Sequence, residues 1–89
     1  MPASLQACLV VVGRYAETHR DVSELASDLG DVSLADVYVL AGLFHAYGLK
    51  EHAWICEKYA RLWMATCEAT GRMVDRPDPF RFVREELGP

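Results

Sequence analysis

Leu5, Leu9, Val12 and Ala16 recur at three- and four-residue intervals, the spacing of one face of an α-helix, and predict a first helix from about Ala3 to Thr18. A second apolar face, Val22, Leu25, Ala26 and Leu29, follows Asp21-x-x-Glu24. That pair reads as a capping box, with the aspartate as N-cap and the glutamate reaching back to its backbone. Gly30 is then expected to close the helix in the left-handed conformation. Ser33-x-x-Asp36 opens a third helix in a similar way, and Gly48 ends it. A fourth, longer helix is predicted from about Lys50 to Thr70, closed by Gly71. "RMVDRPDP" reads as a loop. Beyond it, Asp78 as N-cap, Pro79 at the first helical position and Gly88 past the end frame a short fifth helix, "PFRFVREEL". No useful length of chain alternates with period two. The expected fold is all-α: one domain, 1–89, a single compact bundle of about five helices.

The third and fourth helices are apolar nearly all round. Facing away from the first two helices, the third would show Ala35, Asp36, Tyr38, Val39, Gly42 and Leu43. A helix of that kind is buried, and the helix that follows is the nearest cover. On the fourth helix, Trp54, Ile55, Tyr59, Leu62, Trp63, Met64 and Ala65 leave Glu57, Lys58, Arg61 and Glu68 as a polar strip, with Glu57 and Arg61 spaced to pair. The expected core is Leu9, Val12, Leu25, Leu40, Phe44, Ala53, Ala60 and Trp63. Tyr38, Val39, Leu43, Trp54 and Tyr59 are candidate interface anchors, since tyrosine and tryptophan often serve that way.

Residues 5–49 resemble the three-helix core of helix-turn-helix proteins. Val22, Leu25, Ala26 and Leu29 sit at core positions of that cadence, as do Val37, Ala41, Phe44 and the Gly48-Leu49 pair, while Asp31 lengthens the turn by one residue. The resemblance implies a DNA-reading third helix, which would present Arg, Lys, Asn or Gln to base edges. Between Ser33 and Tyr47 there is none of these. Where a winged protein would continue with a β-hairpin, this chain continues with a helix. Leu40, Ala41, Phe44, Gly48, Ala53 and Ala60 are also similar to one tetratricopeptide unit, with Glu57 where an aromatic is usual and no second copy. Both resemblances imply that the third and fourth helices are antiparallel neighbours.

Hydrophobic residues make up 52% of the 89, much for a small domain, so part of them should face a partner, a second copy being one. The net charge of −4 is lopsided: up to Leu49, Arg14 and Arg20 stand against Glu17, Asp21, Glu24, Asp28, Asp31 and Asp36, while the rest balances. Phosphate binding needs the opposite sign, so direct nucleic-acid binding is not expected. The apolar run Leu9–Val12 is too short for a bilayer or a signal peptide. Cys8, Cys56 and Cys67 are odd in number and lack a CxxC, which fits reduced thiols in a cytoplasmic protein without a membrane span.

Candidate chemistry is sparse. His52 and Cys56, four apart, could chelate a metal or form a Cys–His nucleophile pair; Gly48 takes His45 out of line, and Cys67 brings no second ligand pair of the usual spacing. No metal, cofactor or catalytic residue is expected. Glu17, Asp21, Glu24 and Asp28 step by four, three and four, and Asp31 and Asp36 extend them: an acidic stripe that either merely solvates the fold or docks a basic partner. The functional expectation is a small non-enzymatic protein-interaction module, most concretely an acidic inhibitor or adaptor of the phage or mobile-element kind. The alternatives are a dimeric helix-turn-helix transcription regulator and a small metal- or thiol-dependent enzyme.

Overall fold

A computed structural model describes residues 2–72 and 76–88, with the side chains of 2–4 left aside. Its helices are α1 (Pro2–Thr18), α2 (Leu25–Leu29, entered through a 3₁₀ turn at Val22–Glu24), α3 (Leu34–Ala46), α4 (Lys50–Thr70) and α5 (Pro79–Leu87). Among the described residues there is no strand. The caps are those the sequence implies. Asp21 and Glu24 form a capping box, Ser33 accepts from the Asp36 amide, and Asp78 accepts from the amides of Phe80 and Arg81. Gly71 ends α4 at φ 70°. The predicted loop agrees at Arg72 and Arg76–Asp78; residues 73–75 of it lie outside the described residues.

The hairpin of α3 and α4 is the most extensive helix pair. Gly48, at φ 77°, makes the reversal, and its left-handed backbone is cheap only without a Cβ. Leu40, Ala41, Phe44, Ala53 and Ala60 are all buried along the seam, the small residues letting the helices approach closely. α1 packs on α3 and runs parallel to it, since Cys8 Sγ donates to the Asp36 carbonyl while Tyr15, two turns on, meets Phe44 edge-on. α2 rests mainly on α5, a partner outside the helix-turn-helix resemblance. The Cα trace spans 38 × 37 × 18 Å, a slab so thin that every helix keeps a face near water.

Several expectations are corrected. Leu9, expected in the core, is 40% exposed, and Leu5 is exposed beside it. The buried stripe of α1 is Cys8, Val12 and Tyr15 instead. Tyr15 decides the rotation: its large ring fills the space against Phe44 and His52, and its hydroxyl reaches Asp28. Gly30 is right-handed at φ −70°. A left-handed cap is not needed there, because Arg76 Nη1 donates to the Leu29 carbonyl at 2.5 Å and satisfies the helix end from outside. The outer face of α3 is not fully covered. α4 leaves Ala35, Tyr38 and Gly42 exposed, while Val39 and Leu43 are half-buried. Likewise Trp54, Leu62 and Met64 on α4 are exposed. Glu57 and Arg61 form no ion pair; the i, i+4 pair is Arg81–Glu85 at 3.0 Å.

Candidate functional site

The acidic residues divide by what each side chain does. Asp21 and Glu24 are exposed and occupied with the capping box, Glu24 accepting from the Asp21 amide at 3.1 Å. Asp28 is half-buried and accepts the Tyr15 hydroxyl, tying α2 to the last turns of α1. Glu17 and Asp31 are exposed, with no side-chain hydrogen bond or ion pair among the described residues. Asp36 stands apart from the rest: it lies beside Cys8, seven residues up α1 from Tyr15, or about 10 Å along the axis. His19, at φ 54°, breaks the helical path between α1 and α2. The two ion pairs among the described residues, Lys58–Glu86 and Arg81–Glu85, both belong to the second half of the chain. Among the described residues, no carboxylate of the first half is in an ion pair.

Asp28 has a structural duty that spacing alone did not reveal. Tyr15 is 1% exposed, so losing its acceptor leaves a buried hydroxyl unpaired. Asp28→Lys should destabilise by about 1–3 kcal/mol, whereas Tyr15→Phe, which removes the donor and lets water reach Asp28, should cost about 1 kcal/mol. Urea midpoints would check the order; equal midpoints for parent and Asp28→Lys would contradict it.

The candidate anchors separate in the same way. Tyr59 is fully buried, its hydroxyl donating to the Pro77 carbonyl at 2.5 Å and its ring against Trp63 and Phe82, so it is a core residue and no anchor. Trp54 is exposed, with Lys58 Nζ 4.6 Å over its ring. Tyr38 is exposed and its hydroxyl meets Met64 Sδ. Beside that contact an apolar groove of about 240 Å³ opens between the ends of α3 and α4, lined by Leu34, Met64, Cys67, Glu68 and Gly71.

His52 and Cys56 do not form a pair. His52 Nε2 lies 3.2 Å from the Arg20 carbonyl, and its ring meets Tyr15 edge-on and Phe44 at a tilt, so it ties the α1–α2 connection to α4. Cys56 is fully buried, and burial, with Asp28 the next cause, pushes its thiol up to about 12. A thiol held that far from its thiolate is a poor nucleophile and a poor ligand. His45 is exposed at the end of α3, and Cys67 is buried in the groove floor. Among the described residues no three or more His, Cys, Asp or Glu side chains converge as a metal site.

Two residues without a motif carry more than the sequence suggests. Arg76 stacks its guanidinium 4.6 Å from the Trp63 ring while capping α2, so one side chain joins three elements. His52 does the same at the other end. Neither has a local signal, because both partners are remote in sequence. No family model, curated protein or solved structure matches this chain. Among the described residues no helix is long and apolar enough to cross a membrane.

Proposed function

We propose that this chain is a non-enzymatic protein-interaction module of the cytoplasm, an acidic inhibitor or adaptor that docks on a basic surface of another protein. The observation that carries this reading is the unpaired acidity of the first half: Glu17 and Asp31 are exposed with no cation paired to them among the described residues, in addition to the exposed capping carboxylates of Asp21 and Glu24. Charges left this way raise the on-rate of an oppositely charged partner and are screened over about 8 Å at physiological salt. The outer face of α3 supports it from the other side, for its one charge is the acid Asp36 and it offers no Arg, Lys, Asn or Gln to a base edge.

Glu17 and Asp31 are the clean probes, since Asp21 and Glu24 cap a helix and Asp28 holds Tyr15. With a partner captured from the native host and identified by mass spectrometry, Glu17→Lys with Asp31→Lys should slow association on the order of tenfold and flatten its salt dependence. Unfolding midpoints should barely move. An unchanged on-rate and salt slope would rule out the acidic surface as the docking site.

A further inference from the structure

The structure leaves one face of the α1–α3 pair without charge. From Pro2 to Gly13 on α1, and from Val37 to Tyr47 across α3, there is no Lys, Arg, Asp or Glu; His45 is the one titratable side chain apart from Cys8 and the tyrosines. A surface helix normally carries charges opposite its buried stripe. α1 buries Cys8, Val12 and Tyr15, yet turns Leu5 and Leu9, 47% and 40% exposed, to solvent. α3 buries Val37, Leu40, Ala41 and Phe44, and leaves Gly42 and Ala46 exposed with Val39 and Leu43 half-buried. The two helices run parallel, and each residue advances about 100° around its helix. That step brings Leu5 and Leu9 to the same side of the pair as Val39, Leu43, Gly42 and Ala46.

We infer that this face is the interface of a homodimer, two copies meeting about a two-fold axis. Three observations choose a second copy as the occupant. A two-fold axis makes the patch meet itself, residue i against j and j against i, and a patch without charge is self-complementary with no like charge to repel and no opposite charge to match. The chain carries −4, and its exposed first-half carboxylates begin only at Glu17, so two copies meeting here keep their like charges at the rim. The footprint is about 20 Å square, two helix widths by the length of α3, on the order of 400 Å². Two such faces bury about 800 Å², or about 1,000 Å² with the rim, the size of a weak, reversible association. Gly42 and Ala46 let the facing backbones approach. A membrane surface fits less well, because interfacial helices are rich in Lys and Arg on the polar face and α1 carries Arg14 alone.

Gly42 supplies the test. Gly42 is exposed and a Cβ added there meets nothing within 4 Å, so a side chain can leave this position toward solvent. Gly42→Glu puts a carboxylate from each copy into a face that has no cation to pair with it. In sedimentation equilibrium the parent should show a concentration-dependent dimer with a micromolar Kd. Gly42→Glu should raise that Kd at least about 100-fold with helical content preserved by circular dichroism. Trp54→Glu, outside the face, should leave the dimer as it was. A parent that stays monomeric at millimolar concentration overturns the inference. So does a Gly42→Glu dimer as tight as the parent's, or a monomeric parent that co-sediments with phosphatidylcholine vesicles through Leu5 and Leu9. The Glu17 and Asp31 variants address the acidic surface separately, so either idea can fail alone.

Discussion

Phe44→Ala is expected to lower stability by about 3–5 kcal/mol, through lost transfer energy and the cavity left behind. Phe44 is fully buried where three helices meet, its ring centroid 5.3 Å from that of Tyr15 on α1 and 5.4 Å from that of His52 on α4. Truncation would open a space lined by two other rings, neither of which can collapse into it. Tyr15 is held by Asp28 and His52 lies against the Arg20 carbonyl. Native domains are stable by only about 5–15 kcal/mol, so the loss is a large share of the whole. For a domain of this size each kcal/mol moves the midpoint by about 4–8 °C, and the Tm should fall by at least about 12 °C. A thermal melt followed by circular dichroism would read it. A midpoint within about 3 °C of the parent's would mean that α1, α3 and α4 do not share this centre.

Alkaline pH should unfold the protein earlier than charge repulsion alone would. Burial pushes Cys56 up to about 12 from 9.0. Burial, with the nearby Asp78 charge, pushes Tyr59 up to about 12 from 10.0, against the lowering effect of Arg76. Tyr15 is raised too, by burial first and then by its bond to Asp28. In each case the fold favours the protonated, neutral form. The unfolded chain releases these protons first as pH rises, so the stability they contribute is whole below about pH 9 and is lost as pH climbs toward the folded values. Each group adds a slope approaching 1.4 kcal/mol per pH unit between its unfolded and folded values. Urea midpoints should therefore be flat from pH 7 to 8.5 and drop steeply from pH 9 to 12. Cys56→Ala should make the first part of that drop shallower. A midpoint that holds to pH 11 would show that Cys56 and Tyr59 are not closed off from water as described. Thiol labelling at pH 8 gives a companion measurement: the buried Cys56 should react only on unfolding.

What could be read from the chain was local. Asp21, Ser33 and Asp78 act within three residues of themselves, and Gly48 and Gly71 need only their own backbone freedom, so helix ends followed from the sequence. The buried faces of α2 and of the α3–α4 seam followed too, because Val22, Leu25, Ala26 and Leu29, and Leu40, Ala41 and Phe44 with Ala53 and Ala60, are separated by polar neighbours or confined to one short hairpin. The rotation of α1 is not legible in the sequence, for the opposite reason. Residues 8–12 are apolar without a break, so periodicity could not choose between Leu9 and Cys8, and the choice fell to Tyr15 and its remote partners Phe44, His52 and Asp28.

The candidate surface divides along the same line. That six acids crowd the first half, and that α3 has nothing with which to read a base, are properties of composition and needed no coordinates. The capping box that occupies Asp21 and Glu24 is local and legible, but the commitment of Asp28 was decided by tertiary contact, with a tyrosine thirteen residues away. Tyr59 and Trp54, alike as aromatic residues on one helix, parted company because α5 and Pro77 pack over Tyr59, while Trp54 remains exposed with only the Lys58 side chain over its ring. Arg76 reached back to close α2 where Gly30 was expected to, since a helix end accepts any donor that the fold brings near it. By itself, then, the sequence determined the number, ends and order of the helices and the sign of the surface. How each helix is turned, and hence which side chains remain free to meet a partner, depended on large buried rings and long-range hydrogen bonds whose partners are far apart in the chain.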